Sequence, residues 1–123
     1  KILEHKYILD QNILLPVTHK KNLMNFVSWK ENDVLSVNEF GILEPIKTKV
    51  KTPNLILVPT LAFDKDKYRL GYGKGFYDRY LEKISQIKKC VTIGLAFSHQ
   101  KVNKINVENY DRKLDLILTE KLM

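Results

Sequence analysis

The sequence predicts an α/β protein, a three-layer α/β/α sandwich with a mostly parallel central sheet. Two observations carry this prediction: apolar runs of strand length recur along the chain, and a clear helical stretch separates two of them. A run that is apolar at every position is typical of a strand buried on both faces, as in parallel sheets. At 123 residues the chain is long enough for one domain, which we expect to span residues 1–123.

Taken in order, residues 1–10 carry apolar side chains at helical spacing and are expected to end an amphipathic helix. Residues 22–29 alternate loosely enough to form an additional strand, whereas residues 30–53 are predicted to be polar connections. The four runs expected in the central sheet are residues 13–17, 55–59, 91–97 and 116–119.

One helix is predicted with particular clarity, directly after a glycine-rich loop. Its apolar stripe consists of Tyr77, Leu81, Ile84 and Ile87. Two lysines close the stretch, where positive charge is favoured by the helix dipole.

The net charge of +7 comes from lysines scattered along the chain. A solvated basic surface is the simplest explanation, followed by steering of an anionic small substrate such as a nucleotide or a polyglutamate. Nucleic-acid binding ranks third, because the basic residues form no recognisable module with aromatic side chains. No apolar run approaches the roughly 20 residues of a membrane helix, and Cys90 is the only cysteine. We therefore expect a cytoplasmic monomer that binds neither nucleic acid nor membrane.

The glycine-rich loop is the segment that predicts chemistry. Glycines can adopt positive φ and let backbone N–H groups approach a ligand, and with the positive end of the following helix they form an anion site. Arg69 and Lys74 flank the loop and could clamp phosphate oxygens, while Asp78 in the first helical turn could hold a hydrated Mg²⁺. The alternative is a tight turn without a ligand. The loop is not a phosphate loop of the Walker type, because Lys74 is followed by Gly75 instead of Ser or Thr.

A longer ordered string then identifies a family. Residues 58–64 are Val-Pro-Thr-Leu-Ala-Phe-Asp, and residues 69–79 are Arg-Leu-Gly-Tyr-Gly-Lys-Gly-Phe-Tyr-Asp-Arg. Together they resemble the signature of the 5-formyltetrahydrofolate cyclo-ligases, also called methenyltetrahydrofolate synthetases. Three further stretches resemble the same family in the same order: residues 40–45 (Phe-Gly-Ile-Leu-Glu-Pro), residues 94–100 with their Phe-x-x-Gln ending, and residues 111–120 (Asp-Arg-Lys-Leu-Asp-Leu-Ile-Leu-Thr-Glu).

The resemblance implies an enzyme that uses ATP and Mg²⁺ to convert 5-formyltetrahydrofolate, possibly with a polyglutamate tail, to 5,10-methenyltetrahydrofolate, releasing ADP and phosphate. By position it implies Arg69 and Lys74 as catalytic cations and Asp78 and Asp111 as Mg²⁺ ligands. The implied ATP-binding residues are Arg69, Leu70, Gly71, Tyr72, Gly73, Lys74, Gly75, Phe76 and Tyr77. The implied folate-binding residues are Tyr72, Gly73, Lys74, Gly75, Phe76 and Phe40.

Some features depart from the family pattern. Tyr110 stands where the family often has His before the metal-binding Asp, and the chain starts at Lys1 without an initiator methionine. We therefore expect the first part of the family's domain to be missing, together with its own ATP- and folate-binding residues. Two other functions stay open, a different nucleotide-binding phosphotransferase-like enzyme and a basic nucleic-acid-binding module.

Overall fold

The computed structural model describes residues 12–20, 23–46, 49–71, 75–107 and 112–121. The helix predicted at residues 1–10 lies outside these ranges, as do four predicted site residues, Tyr72, Gly73, Lys74 and Asp111. The chain divides into two compact units, with the boundary between Pro53 and Asn54.

The first unit is built on an antiparallel sheet. Strand β1 (Ile13–His19) pairs with β2 (Leu23–Trp29), and β2 pairs on its other side with β5 (Val50–Lys51). Met24, Phe26 and Val27 of β2 are buried and supply the apolar centre of this unit.

The strand predicted at residues 13–17 is confirmed, but its predicted place in a parallel sheet is wrong. Only three residues connect β1 to β2, and such a short connection permits an antiparallel pair, whereas a parallel pair needs a crossover of a dozen or more residues. Pro16 pairs with Phe26 inside β1 instead of ending the strand. Because β1 is the edge of the described sheet, the missing N–H of proline is tolerated there.

The segment predicted to be polar connections contains three short strands. Besides β5 these are β3 (Leu35–Val37) and β4 (Leu43–Pro45), which form an antiparallel hairpin. The Asn38 side-chain oxygen organises its turn, accepting hydrogen bonds from the backbone N–H groups of Phe40 and Ile42 at 2.8 and 3.0 Å. Gly41 supplies the positive φ of 76° that the turn requires.

The second unit contains the predicted parallel sheet. Its strands are β6 (Leu55–Pro59), β9 (Val91–Leu95) and β10 (Leu116–Leu118), in the order β10-β9-β6. Pro59 and Leu118 both pair with Leu95, so the three strands end at one level and share a carboxyl edge. This confirms an α/β protein with a parallel sheet. The strands at residues 91–97 and 116–119 end earlier than predicted.

Strand β6 is not buried on both faces, as its continuous apolar run predicted. Ile56 and Val58 are buried, whereas Leu55 and Leu57 are 51% and 41% exposed. Val91 of β9 and Leu116 of β10 lie on the same face and are also exposed, so one face of the sheet is open at these positions. A short antiparallel hairpin, β7 (Ala62–Phe63) and β8 (Arg69–Leu70), follows it.

Helix α1 (Phe76–Ser85) connects the hairpin to β9 and buries Tyr80, Leu81 and Ile84. The predicted stripe is therefore correct at its centre, but Ile87 is 64% exposed because the helix ends two residues before it. Among the described residues, no helix has the length and apolarity to cross a membrane.

Candidate functional site

The candidate site lies at the carboxyl edge of the parallel sheet, the edge where open α/β sheets bind ligands. The Leu61 N–H, two residues beyond β6, donates a hydrogen bond to the Leu70 carbonyl at 2.9 Å. Leu70 ends β8 and directly precedes Gly71. The hairpin thus returns the chain to the end of β6 and brings Gly71, the first residue of the predicted glycine loop, to this edge.

Arg69 is buried under this turn, with its side chain only 4% exposed. Its Nη2 lies 3.6 Å from the Asp78 Oδ2, and its Nη1 donates a hydrogen bond to the Pro59 carbonyl at 3.5 Å. The guanidinium carbon also lies 5.6 Å from the centre of the Tyr77 ring, a cation–π contact. A buried guanidinium needs such partners because its desolvation is costly.

The Arg69 Nε is the exception. It is buried and has no hydrogen-bond partner among the residues that the structure describes. A buried donor without a hydrogen-bond partner is unfavourable, so the Arg69 Nε is a cost that the described part of the fold does not offset.

Two glycines shape the turn for different reasons. A Cβ added at Gly71 would overlap the Arg69 Nη1, so the backbone passes directly over the buried guanidinium. Gly75 has φ of 72° and precedes the first residue of α1, where it turns the chain into the helix. Glycine at both positions is therefore explained by the geometry of the turn.

The start of α1 sets the local charge. Its first turn carries the positive end of the helix dipole, and Asp78 lies in this turn, where a carboxylate is favoured. Burial raises the pKa of the Tyr77 phenol above its ordinary value, although the nearby Arg69 opposes this change. Tyr77 thus contributes to the site as a neutral, largely buried ring.

Asp64, which the sequence did not single out, organises the hairpin turn behind the site. Only 3% exposed, it accepts hydrogen bonds at 3.0–3.1 Å from the backbone N–H groups of Asp66 and Tyr68 through Oδ1 and of Ile105 through Oδ2. Burial acts to raise its pKa, but these bonds and the Lys113 ammonium outweigh burial and hold the pKa below its ordinary value. The sequence contains a signal for this role, because Asp66 follows Asp64 by two residues and an Asp side chain often accepts a hydrogen bond from the backbone two residues on.

The structure brings most described members of the predicted site together in the second unit. These are Arg69, Leu70, Gly71, Gly75, Phe76, Tyr77 and Asp78. Phe40 lies in the first unit, in the turn between β3 and β4, and is 41% exposed. Within the described ranges, no group of three or more His, Cys, Asp or Glu side chains is placed to bind a metal.

The parallel sheet, with Gly71 near its carboxyl edge and Gly75 before the first residue of α1, defines an α/β protein with a candidate ligand site at this edge. The sequence model of the 5-formyltetrahydrofolate cyclo-ligase family matches residues 1–120, and the chain belongs to this family.

Individual relatives agree with this assignment. The 5-formyltetrahydrofolate cyclo-ligase of Haemophilus influenzae is 34% identical over 95% of the chain and 66% of its own length. Among solved structures, the 5,10-methenyltetrahydrofolate synthetase of Aquifex aeolicus is 33% identical with a TM-score of 0.75, over 94% of the chain and 59% of its own. The Mycoplasma pneumoniae synthetase is 26% identical with a TM-score of 0.67, over 92% and 62%. The chain thus spans about two thirds or less of the length of these proteins.

Proposed function

We propose that the chain acts in the ATP- and Mg²⁺-dependent conversion of 5-formyltetrahydrofolate to 5,10-methenyltetrahydrofolate. Membership of the family and the names of the relatives support this proposal. The observation that carries it is the buried Arg69 guanidinium, which lies beneath the backbone of Gly71 and contacts Tyr77 and Asp78 in the first turn of α1.

The chemistry explains why such a site is needed. The formyl oxygen of the substrate is a poor leaving group, and transfer of the γ-phosphoryl group of ATP to this oxygen makes it a good one. N10 of the folate then attacks the formyl carbon, the C–O bond breaks, and the oxygen leaves as part of phosphate. Phosphoryl transfer of this kind depends on placement and on neutralising charge more than on an acid–base pair.

The described residues fit the phosphates of ATP. The N–H groups at the start of α1 and the Arg69 guanidinium provide positive potential, and Asp78 balances only part of it. The backbone at Gly71 has no side chain that would stand between the guanidinium and a ligand. We propose that residues 69–77, including Lys74, bind the phosphates, and that Tyr72–Phe76 and Phe40 contact the folate.

We further propose that Asp78 and Asp111 hold Mg²⁺. Mg²⁺ usually keeps several waters and takes one or two carboxylates together with substrate phosphates, so a single described carboxylate beside the phosphate site is compatible with it. When bound, the ion would neutralise charge on the transferring phosphoryl group. Arg69 fixes the position of Asp78, which would present the carboxylate to the ion. We also propose that helices cover both faces of the parallel sheet, in the three-layer arrangement that the sequence predicts.

The direct test is an absorbance assay for the methenyl product. Purified protein is incubated with 5-formyltetrahydrofolate, with and without ATP and with and without Mg²⁺. We expect product only when both are present. ATP hydrolysis that does not depend on the folate would favour another phosphotransferase-like enzyme. Nucleic-acid binding that weakens steeply with salt, without product formation, would favour a basic binding module.

A further inference from the structure

Phe97 is an aromatic side chain that stands exposed at the carboxyl edge of the parallel sheet. It lies two residues beyond the end of β9 and is 60% exposed. Single exposed apolar side chains are common on proteins and need no explanation by themselves. The surroundings of Phe97 are different, because hydrogen bonds hold its backbone and an aromatic ring stacks on it.

Gln100 fixes the backbone of Phe97. The Gln100 Oε1 accepts a hydrogen bond from the Phe97 N–H at 2.7 Å, and the Gln100 Nε2 donates one to the Leu61 carbonyl at 2.9 Å. One amide therefore joins the segment after β9 to the segment after β6. Leu61 in turn bonds to Leu70, the residue before Gly71, so Phe97 is linked to the glycine turn through two hydrogen-bonded steps.

The neighbouring residue is held from the other side. The Ser98 N–H donates to both carboxylate oxygens of Glu120, at 2.9 and 3.1 Å, and Glu120 lies two residues beyond β10. The segments that follow all three parallel strands are thus tied together at one level. These side-chain hydrogen bonds on both sides of the exposed ring restrict its backbone.

The His99 ring stacks on the Phe97 ring. Their centres are 5.6 Å apart and their planes differ by 5°, an offset parallel arrangement. The pair presents a flat, rigid aromatic surface. A flat surface at the ligand edge of an α/β sheet suits a planar ring better than it suits an aliphatic chain, because stacking rewards matching planes.

We propose that Phe97, backed by His99, is a stacking platform for the planar heterocycle of a substrate, and that Gln100 is the residue that positions it. The inference rests on the proposed function, in which two substrates carry such a ring, the adenine of ATP and the pterin of the folate. Their shared chemistry is a flat nitrogen heterocycle attached to an anionic part. The anionic part would extend from the platform toward the glycine turn.

The test uses tryptophan fluorescence to report ligand binding at the platform. In Phe97→Trp the indole takes the place of the stacking ring, and in the control Ile87→Trp it takes an equally exposed position after the end of α1, away from the carboxyl edge. Trp29, the single tryptophan of the chain, gives both variants the same background. Each variant is titrated with adenosine, ATP, inorganic triphosphate and 5-formyltetrahydrofolate. The Ile87→Trp signal corrects for light absorbed by the ligands.

We expect one class of ring to quench the tryptophan fluorescence of Phe97→Trp saturably, and more strongly than it quenches that of Ile87→Trp. Quenching by adenosine and ATP but not by triphosphate identifies the nucleotide, and quenching by 5-formyltetrahydrofolate identifies the pterin. If no ring quenches Phe97→Trp more than Ile87→Trp, the platform is excluded. This readout needs no turnover, so absence of the methenyl product in the absorbance assay would count against the proposed function and not against the platform.

Kinetics provide a second readout. Phe97→Leu should raise the KM for the stacked substrate about tenfold, from the loss of one aromatic stacking contact, and leave the KM for the other substrate and kcat unchanged. Phe97→Tyr keeps an aromatic ring at this position and should therefore keep the wild-type KM. Gln100→Leu should raise the same KM. An equal rise in both KM values that follows a loss of folding stability would show a structural role and overturn the inference.

Discussion

The Arg69 guanidinium lies 3.6 Å from the Asp78 carboxylate, and the two side chains are only 4% and 16% exposed. Sequence reasoning placed both residues on the ligand side of the glycine loop, one as a phosphate clamp and the other as a metal ligand. The structure pairs them with each other. Arg69 therefore acts on the position of Asp78 whatever else it binds, and a phosphate that approached Arg69 would compete with this carboxylate.

The first prediction concerns this pair. Arg69→Met removes the guanidinium from beside the largely buried Asp78 carboxylate and should reduce the free energy of unfolding by about 3 kcal/mol. Asp78→Asn leaves the still more buried Arg69 guanidinium without this carboxylate and should cost at least as much. Urea unfolding of both single variants and the double variant measures their coupling, which we expect to be about 1–3 kcal/mol.

Lys83→Met is the matched control, since Lys83 is a cation at an exposed position of the same helix. Its replacement should change the free energy of unfolding by about 0.5 kcal/mol or less. Additive effects of Arg69→Met and Asp78→Asn would show that the two residues do not stabilise one another.

The second prediction concerns pH and Asp64. Its pKa is lowered in the folded protein, so the stability that it contributes is complete above the unfolded value of about 3.9 and is lost as the pH falls through the folded value. Asp64→Asn should flatten the fall in the free energy of unfolding below about pH 5. At neutral pH it should cost about 1–3 kcal/mol, because an amide cannot accept all three hydrogen bonds.

Urea unfolding between pH 6 and pH 3 measures this effect. Asp66→Asn removes the same charge from an exposed position of the same turn and is the matched control. Identical curves for Asp64→Asn and Asp66→Asn would mean that the three hydrogen bonds to Asp64 do not shift its titration.

The third prediction separates crowding from backbone strain. A Cβ at Gly94, in the central strand β9, would lie 2.6 Å from the Leu114 Cδ1 and 2.9 Å from the Ile117 Cδ1. Gly94→Ala should therefore reduce the free energy of unfolding by about 1–3 kcal/mol through overpacking. At Gly41 nothing lies within 4 Å, and only the φ of 76° opposes a side chain. Gly41→Ala should cost about 1–2 kcal/mol.

Thermal unfolding followed by circular dichroism measures the change in the free energy of unfolding for both variants. Gly94→Ser should be worse than Gly94→Ala because it adds another atom to the same space, whereas Gly41→Asn should be milder than Gly41→Ala because Asn adopts positive φ more readily. The opposite order at either position would contradict the reason given for that glycine.

The fourth prediction concerns Lys74, which lies outside the described residues. Lys74→Ala should reduce transition-state stabilisation by about 2–4 kcal/mol, by analogy with single donors in charge-stabilising sites. Lys89→Ala, at an exposed position after α1, is the control for loss of one positive charge. The ratio kcat/KM for ATP and the melting temperature are measured together. A fall in melting temperature large enough to explain the lost activity would show that Lys74 is structural.

The parts of the fold that sequence reasoning predicted best are those with long, regular patterns. The apolar runs of β6, β9 and β10 and the stripe of α1 repeat over several residues, so the presence and type of these elements can be deduced from them. The two-residue strands β7 and β8 are too short for any period to appear. The apolar run of β1 does not reveal which sheet contains it, because this is decided by the three-residue connection to β2.

The site was predicted only in part for a related reason. A motif names the residues of a loop but not the direction of their side chains. Arg69 belongs to a two-residue strand, and its burial follows from the return of the hairpin to Pro59, a long-range contact. The platform at Phe97 depends on Gln100 reaching Leu61, which no local pattern indicates.

The order of the strands also has a consequence for synthesis of the protein. Strand β1 can pair with β2 across three connecting residues within microseconds. Strand β6 has to wait, since Leu55 pairs with Val91, and β9 is made only after the hairpin and α1. At about 5–20 residues per second, a ribosome leaves β6 without that partner for roughly 2–7 s. During this interval Ile56 and Val58, which are buried in the folded protein, are exposed to other nascent chains. The second unit is therefore the part of the chain that a chaperone would bind during synthesis.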